Sequence, residues 1–159
     1  MSDEKKRTAA SPHELLQALG ESEAAQAAAI LKELQERKGA EATQSLAEAA
    51  RSGPETQRAQ ARELLAKRLT RMTEKTLRSY LDLDDVELRR ATCVAAGLKG
   101  EKALVGDLIE RLGDKTADVA DAAHQSLATL TGQDFGRFVG VSTVERFSVQ
   151  RKWQKWHAP

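Results

Sequence analysis

A 31-residue period is the feature of this 159-residue sequence that most restricts its fold. Sliding the chain against itself by 31 positions aligns four largely apolar columns in two pairs, and the columns of a pair are four residues apart. The columns are Leu15, Leu46, Leu77 and Leu108; Leu19, Ala50, Leu81 and Leu112; Ile30, Ala61, Thr92 and Ala123; and Leu34, Leu65, Ala96 and Leu127. A spacing of four is that of one helical face, so each repeat is predicted to contain two amphipathic helices.

Capping signals place the helix boundaries. Ser11-Pro12-His13-Glu14 is a capping box with proline at the first helical position, Gly53-Pro54 repeats the start signal, and Thr73 is a third N-cap. Glycines follow the apolar segments where helices are expected to end. These signals predict four helix pairs and a last helix: 12–19 with 22–37, 41–51 with 54–70, 74–82 with 85–98, 101–112 with 116–131, and 143–156.

Composition agrees with an all-α fold. Ala, Leu, Glu, Arg, Lys and Gln dominate, and these residues lose little rotamer freedom in a helix. Cys93 is the single cysteine, which excludes an intramolecular disulfide, and no apolar run approaches the length of a membrane span. We therefore expect a cytoplasmic protein, with residues 1–10 as a disordered tail because they contain little apolar surface.

The third and fourth units resemble a known repeat family. LRSYLDLDDVELRRATCVAAGLKG and LIERLGDKTADVADAAHQSLATLTG are similar to HEAT repeats of the short type seen in phycobilisome lyase-like proteins, on the aliphatic-Arg pair Leu88-Arg89 and the pair Ala122-Ala123. The resemblance implies an α-solenoid of about four antiparallel helix pairs, with repeats at 11–38, 40–71, 73–99 and 100–132 and a tryptophan-bearing C-terminal cap at 133–159. It implies a binding scaffold and brings no catalytic residue.

The stretch RKWQKW, residues 151–156, belongs to this cap. On a helical wheel Val149, Trp153 and Trp156 form one stripe, and the cations lie on the other side. The terminal repeat of a solenoid needs a chemically different element over its apolar face, so we favour a lid on the core. The alternatives are a partner-docking helix and a nucleic-acid or membrane surface.

Two features of the cap are left open by the sequence. Val144 and Phe147 point away from Trp153 if the last helix is unbroken, so either the helix breaks near Ser148 or Phe147 contacts something else. The loop containing Phe138 either folds back over the tryptophans, which is the favoured alternative, or forms an exposed patch.

The resemblance also locates a candidate partner-binding surface. In HEAT solenoids the second helices line the concave side, where equivalent columns form ladders. The residues predicted to bind a protein or peptide there are Arg62, Arg90, Val94, His124 and Gln125. Arginine is enriched where interfaces concentrate their energy, so Arg62 and Arg90, with His124, are the predicted polar anchors.

Other functions have weaker support in the sequence. A basic strip at 58–78 (Arg58, Arg62, Lys67, Arg68, Arg71, Lys75 and Arg78) is a candidate for nucleic-acid backbone binding. The net charge of +1 argues against that reading. A lyase-like chromophore chaperone is suggested by the repeat type alone.

Motifs that suggest enzymes have simpler explanations. Asp134-Phe135-Gly136 matches a kinase triplet in letters only and is expected to be an acidic turn leading into the cap. Cys93 and His124 share a repeat column, but adjacent helices lie about 8–10 Å apart, too far for a catalytic dyad. We expect Cys93 to be an apolar filler and His124 a surface polar residue. The prediction is a non-catalytic protein without metal or cofactor.

Overall fold

The computed structural model of the chain describes residues 10–159, and its regular elements there are all helices. The all-α fold class is confirmed for this part of the chain. The predicted disorder of residues 1–10 concerns positions that, apart from Ala10, lie outside the described residues. Between residues 10 and 159, none of the helices combines the length and the apolar character that crossing a membrane requires.

The chain divides into two compact units, Met1–Arg68 and Leu69–Pro159. The helices of the first are α1 (Pro12–Leu19), α2 (Ala24–Glu36), α3 (Ala40–Ser52) and α4 (Glu55–Leu69), whose last residue begins the second unit. The predicted capping box starts α1: the Ser11 hydroxyl accepts from the Glu14 N–H at 3.1 Å, and the Ser11 N–H donates to the Glu14 carboxylate at 3.1 Å. Local signals therefore set these boundaries correctly to within two residues.

The second unit contains α5 (Glu74–Tyr80), α6 (Val86–Lys99), α7 (Val105–Arg111), α8 (Ala117–Thr131) and α9 (Thr143–His157). The continuous helix predicted at 101–112 begins instead as a 3₁₀ turn, Lys102–Leu104. The two parts meet at Leu104, whose φ of −92° and ψ of 2° lie outside the helical region. Gly100 and Gly132, at φ of +72° and +68°, end α6 and α8 in the left-handed conformation.

All sixteen positions of the four repeat columns are buried. The exposed fractions run from 0% at Leu34 and Leu65 to 4% at Ile30. Each of these side chains therefore faces the core of its own unit, as the period predicted.

A buried arginine holds the α2–α3 turn of the first unit. Arg68, at 4% exposure, donates from Nε to Thr43 Oγ1 at 2.8 Å, from Nη1 to the Gln35 carbonyl at 2.9 Å and from Nη2 to the Gly39 carbonyl at 2.8 Å. The carbonyl of Arg37 accepts from Nη1 as well. Because the last carbonyls of a helix lack partners within it, Arg68 satisfies groups that burial would otherwise leave unpaired.

A buried ion pair performs the corresponding role in the second unit. Arg89 and Asp114 have side chains only 5% and 3% exposed, and they form a two-pronged contact of 3.0 and 3.2 Å. The Nη1 of Arg89 also donates to the carbonyls of Leu83 and Asp84, each at 2.9 Å. The turn before α6 and the turn before α8 are thereby tied to one guanidinium.

The C-terminal segment, residues 133–159, forms an aromatic cap over the core of the second unit. Trp153 is 0% exposed, Phe138 is 1% exposed, and Phe135 meets the Trp153 ring edge-on at a centroid distance of 4.8 Å. Trp153 is buried, as the lid prediction requires. The loop folds back only in part: Phe138 is buried against His124, whereas Val139 is 58% exposed. For Trp156 the lid prediction was wrong in part, because this ring is 42% exposed and lies at the rim of the cap.

The two open questions about the last helix are also answered. Helix α9 is continuous through Ser148, so Val144 and Phe147 lie on its outer face at 78% and 58% exposure. Phe147 is covered in part by Arg151, whose guanidinium carbon is 5.6 Å from the ring centroid.

Candidate protein-docking surface

The five predicted partner-binding residues are distributed over both units. Arg62 lies on α4 of the first unit and is partly exposed; in the second unit Arg90 and Val94 are partly exposed on α6, and Gln125 is exposed on α8. His124 is half-buried on α8. We use "second-helix surface" for the exposed sides of the second helices of each unit taken by itself: α2 and α4 in the first unit, and α6 and α8 in the second.

On α6 the exposed side is a stripe of one cation and two aliphatic residues. Arg90, Val94 and Leu98 follow each other at intervals of four, so they share one face of the helix. Leu98 is 67% exposed, and Arg90 has no ion-pair partner among residues 10–159. An open arginine beside aliphatic side chains has the composition that interface centres favour.

Close packing of α6 against α8 fixes the position of this stripe. The Ser126 hydroxyl donates to the Cys93 carbonyl at 2.6 Å. A Cβ at Gly97 would lie 2.6 Å from Ser126 Oγ, so only glycine permits this approach. Val94 and Gln125 each neighbour a residue of the Cys93–Ser126 hydrogen bond, and both are therefore held on rigid backbone.

The first unit has a cleft on its second helices. A space of about 270 Å³ lies between α2 and α4, with Ala28 and Leu64 as apolar lining and Lys32, Lys67 and Glu63 among the charged lining. Arg62 does not line it. Sequence reasoning missed this cleft, although the small residue Ala28 at an exposed helical position was a signal for it.

His124 is packed into the aromatic cap rather than presented on an open surface. Its ring stacks on Phe138 with centroids 4.8 Å apart and an interplanar angle of 10°, and Trp153 meets it edge-on at 6.5 Å. The expectation of a surface polar residue was wrong, because the loop carrying Phe138 folds back onto α8. His124 therefore belongs to the aromatic cap.

Burial affects the charge of His124. Desolvation lowers its pKa below the ordinary value of 6.5, and the nearby carboxylates Asp134 and Asp121 oppose that shift. Nε2 is buried without a hydrogen-bond partner in the described structure. Asp121 is engaged by Arg146 at 2.8 Å, as an ion pair without the angle of a linear hydrogen bond.

The basic strip is divided by the structure. Arg58, Arg62, Lys67 and Arg68 belong to the first unit, and Arg71, Lys75 and Arg78 belong to the second. Arg68 is buried at the α2–α3 turn, and Arg78 is paired with Glu74 and with Asp107. Arg68 and Arg78 are therefore among the cations of the strip that take part in intramolecular contacts.

The remaining candidate groups are the Cys93 thiol and possible metal ligands. Desolvation, reinforced by Asp114, raises the pKa of Cys93 to about 12, so the thiol is protonated near neutral pH and is not an activated nucleophile. Among residues 10–159 no three His, Cys, Asp or Glu side chains are grouped as a metal ion would require.

Gly136 N–H donates to Asp134 Oδ1 at 2.9 Å, which makes the Asp134-Phe135-Gly136 triplet a local turn into the cap.

Comparisons with protein-family models, with curated proteins and with solved structures find no match to this chain.

Proposed function

We propose that this chain is a non-catalytic helical-repeat scaffold of the HEAT-like α-solenoid type, which binds another protein through its second-helix surface. The observation that carries the proposal is the Arg90–Val94–Leu98 stripe. Leu98 leaves 67% of its surface in water on a helix that the Gly97–Ser126 contact holds rigidly. Preformed apolar area beside an arginine needs little ordering when a partner binds.

The repeat columns support the same proposal. The sixteen column positions are buried, so the opposite faces of these helices are available for binding. Repeat scaffolds use such faces to bind their partners. A cytoplasmic location remains part of this proposal. The nucleic-acid alternative is not favoured, because Arg68 is buried and Arg78 is paired with Glu74 and Asp107. The chromophore alternative is not favoured, because the cleft between α2 and α4 has no aromatic lining residue.

The test is quantitative capture with matched charge reversals. Immobilised wild type, Arg90→Glu and Lys152→Glu are exposed to the same native lysate, and captured proteins are compared by mass spectrometry. Lys152 is an exposed cation on α9, which is not one of the helices of the second-helix surface. We expect at least one protein retained by wild type and Lys152→Glu but weakened at least tenfold by Arg90→Glu, confirmed with the purified partner.

The helical circular dichroism of Arg90→Glu must equal that of wild type, since Arg90 makes no ion pair in the described structure. If Arg90→Glu retains every protein that wild type retains, with equal affinity, the proposal is wrong.

A further inference from the structure

Exposed apolar side chains concentrate on the C-terminal segment. Of the six large hydrophobic residues that are exposed in the described structure, four lie there: Val139, Val144, Phe147 and Trp156. The same segment buries Trp153 and Phe138 completely or nearly so. The role of this segment in covering the core therefore does not explain why its outer face is apolar. Exposed apolar groups that cluster in this way mark interaction sites.

A groove adjoins this outer face within the second unit. It lies between the turn that precedes α8 and helix α9, and its volume is about 490 Å³. Leu112, Ala120 and Val141 are among its apolar lining, and Phe147 stands on the α9 side. We call this the α8–α9 groove; its volume falls in the range of roughly 300–1,000 Å³ that ligand-binding clefts occupy.

The charged lining residues of the α8–α9 groove are two cations, Lys115 and Arg146, and one carboxylate, Asp114. Its single acidic lining residue, Asp114, is 3% exposed and neutralised by Arg89. Lys115 is exposed on the turn side and has no ion pair among residues 10–159. Arg151 extends over Phe147 at 5.6 Å on the α9 side. Apolar lining residues with one accessible lining cation, Lys115, and a second cation beside Phe147, Arg151, complement carboxylates that flank apolar side chains.

We propose that the α8–α9 groove binds an acidic amphipathic helix of a partner protein. Its apolar side chains pack beside Phe147 over Ala120 and Val141, and its carboxylates meet Lys115 and Arg151. This is the helix-in-groove mode, in which side chains at i, i+3, i+4 and i+7 supply the contact. The site does not include the Arg90–Val94–Leu98 stripe and does not depend on Arg90.

The test uses two fluorescein-labelled 14-residue peptides. Both carry leucine at i, i+3, i+4 and i+7 positions; the other positions are mostly glutamate in one and mostly lysine in the other. Fluorescence anisotropy at low salt measures their binding to the full chain. We expect the glutamate peptide to bind at least tenfold more tightly than the lysine peptide, and added salt to reduce that difference by screening.

Matched variants locate the binding. Phe147→Ser and Lys115→Glu are each expected to weaken the glutamate peptide at least tenfold. Val144→Ser, on the same helix but outside the groove lining, and Arg90→Glu are expected to leave it unchanged. All four positions are wholly or partly exposed, and circular dichroism verifies their folding.

Three results would overturn the proposal: no binding of the glutamate peptide, equal binding of the lysine peptide, or equal binding of the glutamate peptide to Phe147→Ser. The proposed second-helix function stands or falls by Arg90→Glu in the capture experiment, so the two failures are distinguishable.

Discussion

The two units are built from different side chains. The first, Met1–Arg68, has no aromatic residue, and its core is mainly alanine and leucine. The second contains all six aromatic residues of the chain, and Trp153 and Phe138 are among its most buried side chains. A core of small residues distributes its stabilisation over many contacts, whereas an aromatic cap concentrates it in a few.

Each unit contains a buried arginine, and the two differ in the acceptors described for them. The contacts of Arg68 include backbone carbonyls and the Thr43 hydroxyl, and those of Arg89 include the Asp114 carboxylate. Loss of one acceptor of Arg68 leaves the others in place. Loss of Asp114 leaves a charge buried without its counter-charge, which is the more costly situation.

The largest expected effect is at the cap. Trp153→Ala should lower the free energy of unfolding by about 4 kcal/mol, the scale for emptying a large aromatic from a core. Urea denaturation followed by circular dichroism measures it. Trp156→Ala is the control and should cost less than about 1 kcal/mol, because this ring is 42% exposed. Equal losses in the two variants would contradict the assignment of the lid to Trp153.

The next effect distinguishes the two arginine sites. Asp114→Ala should cost about 3 kcal/mol, because Arg89 stays buried with its charge uncompensated. The double variant Arg89→Met, Asp114→Leu should recover most of this loss, since apolar residues of similar volume often replace a buried ion pair without cost. Urea denaturation of the three proteins provides the comparison.

Arg68→Met is the comparator from the first unit. It removes the charge together with its hydrogen bonds and should cost about 2 kcal/mol, through the carbonyls it leaves unpaired. A loss in Arg68→Met greater than that in Asp114→Ala would show that the carbonyl cage, not the ion pair, is the more demanding arrangement.

The smallest expected effect depends on pH. The folded state lowers the pKa of His124, so it favours the neutral imidazole. The stability that neutral His124 supplies is complete above the ordinary pKa of 6.5 and is lost as the pH falls below it. Urea denaturation at pH 8 and pH 5 should therefore show a decrease at pH 5 that is smaller in His124→Gln. An identical decrease in the two proteins would count against a desolvated His124.

The helices of both units were predictable because their signals are local. The columns through Leu15 and Leu34 need only the 3.6-residue periodicity, and Ser11 and Thr73 act on N–H groups three residues away. Ser142 and Glu145 form a further capping box that starts α9, and the same pattern was present in the sequence.

The contacts of the buried polar groups were not predictable in this way. Arg89 finds Asp114 at a separation of 25 residues, and Arg68 reaches Gln35 at a separation of 33. No periodicity distinguishes these arginines from exposed ones such as Arg58. His124 was also misplaced, since its surroundings are created when the loop that follows α8 returns Phe138 onto that helix.

The burial of Cys93 has a practical consequence for work on this chain. The one native thiol is 0% exposed, with a pKa of about 12, so alkylating reagents at pH 7–8 find no reactive sulfur in the folded protein. A cysteine introduced at any surface position becomes the sole target for a dye or spin label, without replacement of the native residue. The native cysteine therefore adds no background labelling in single-site spectroscopy.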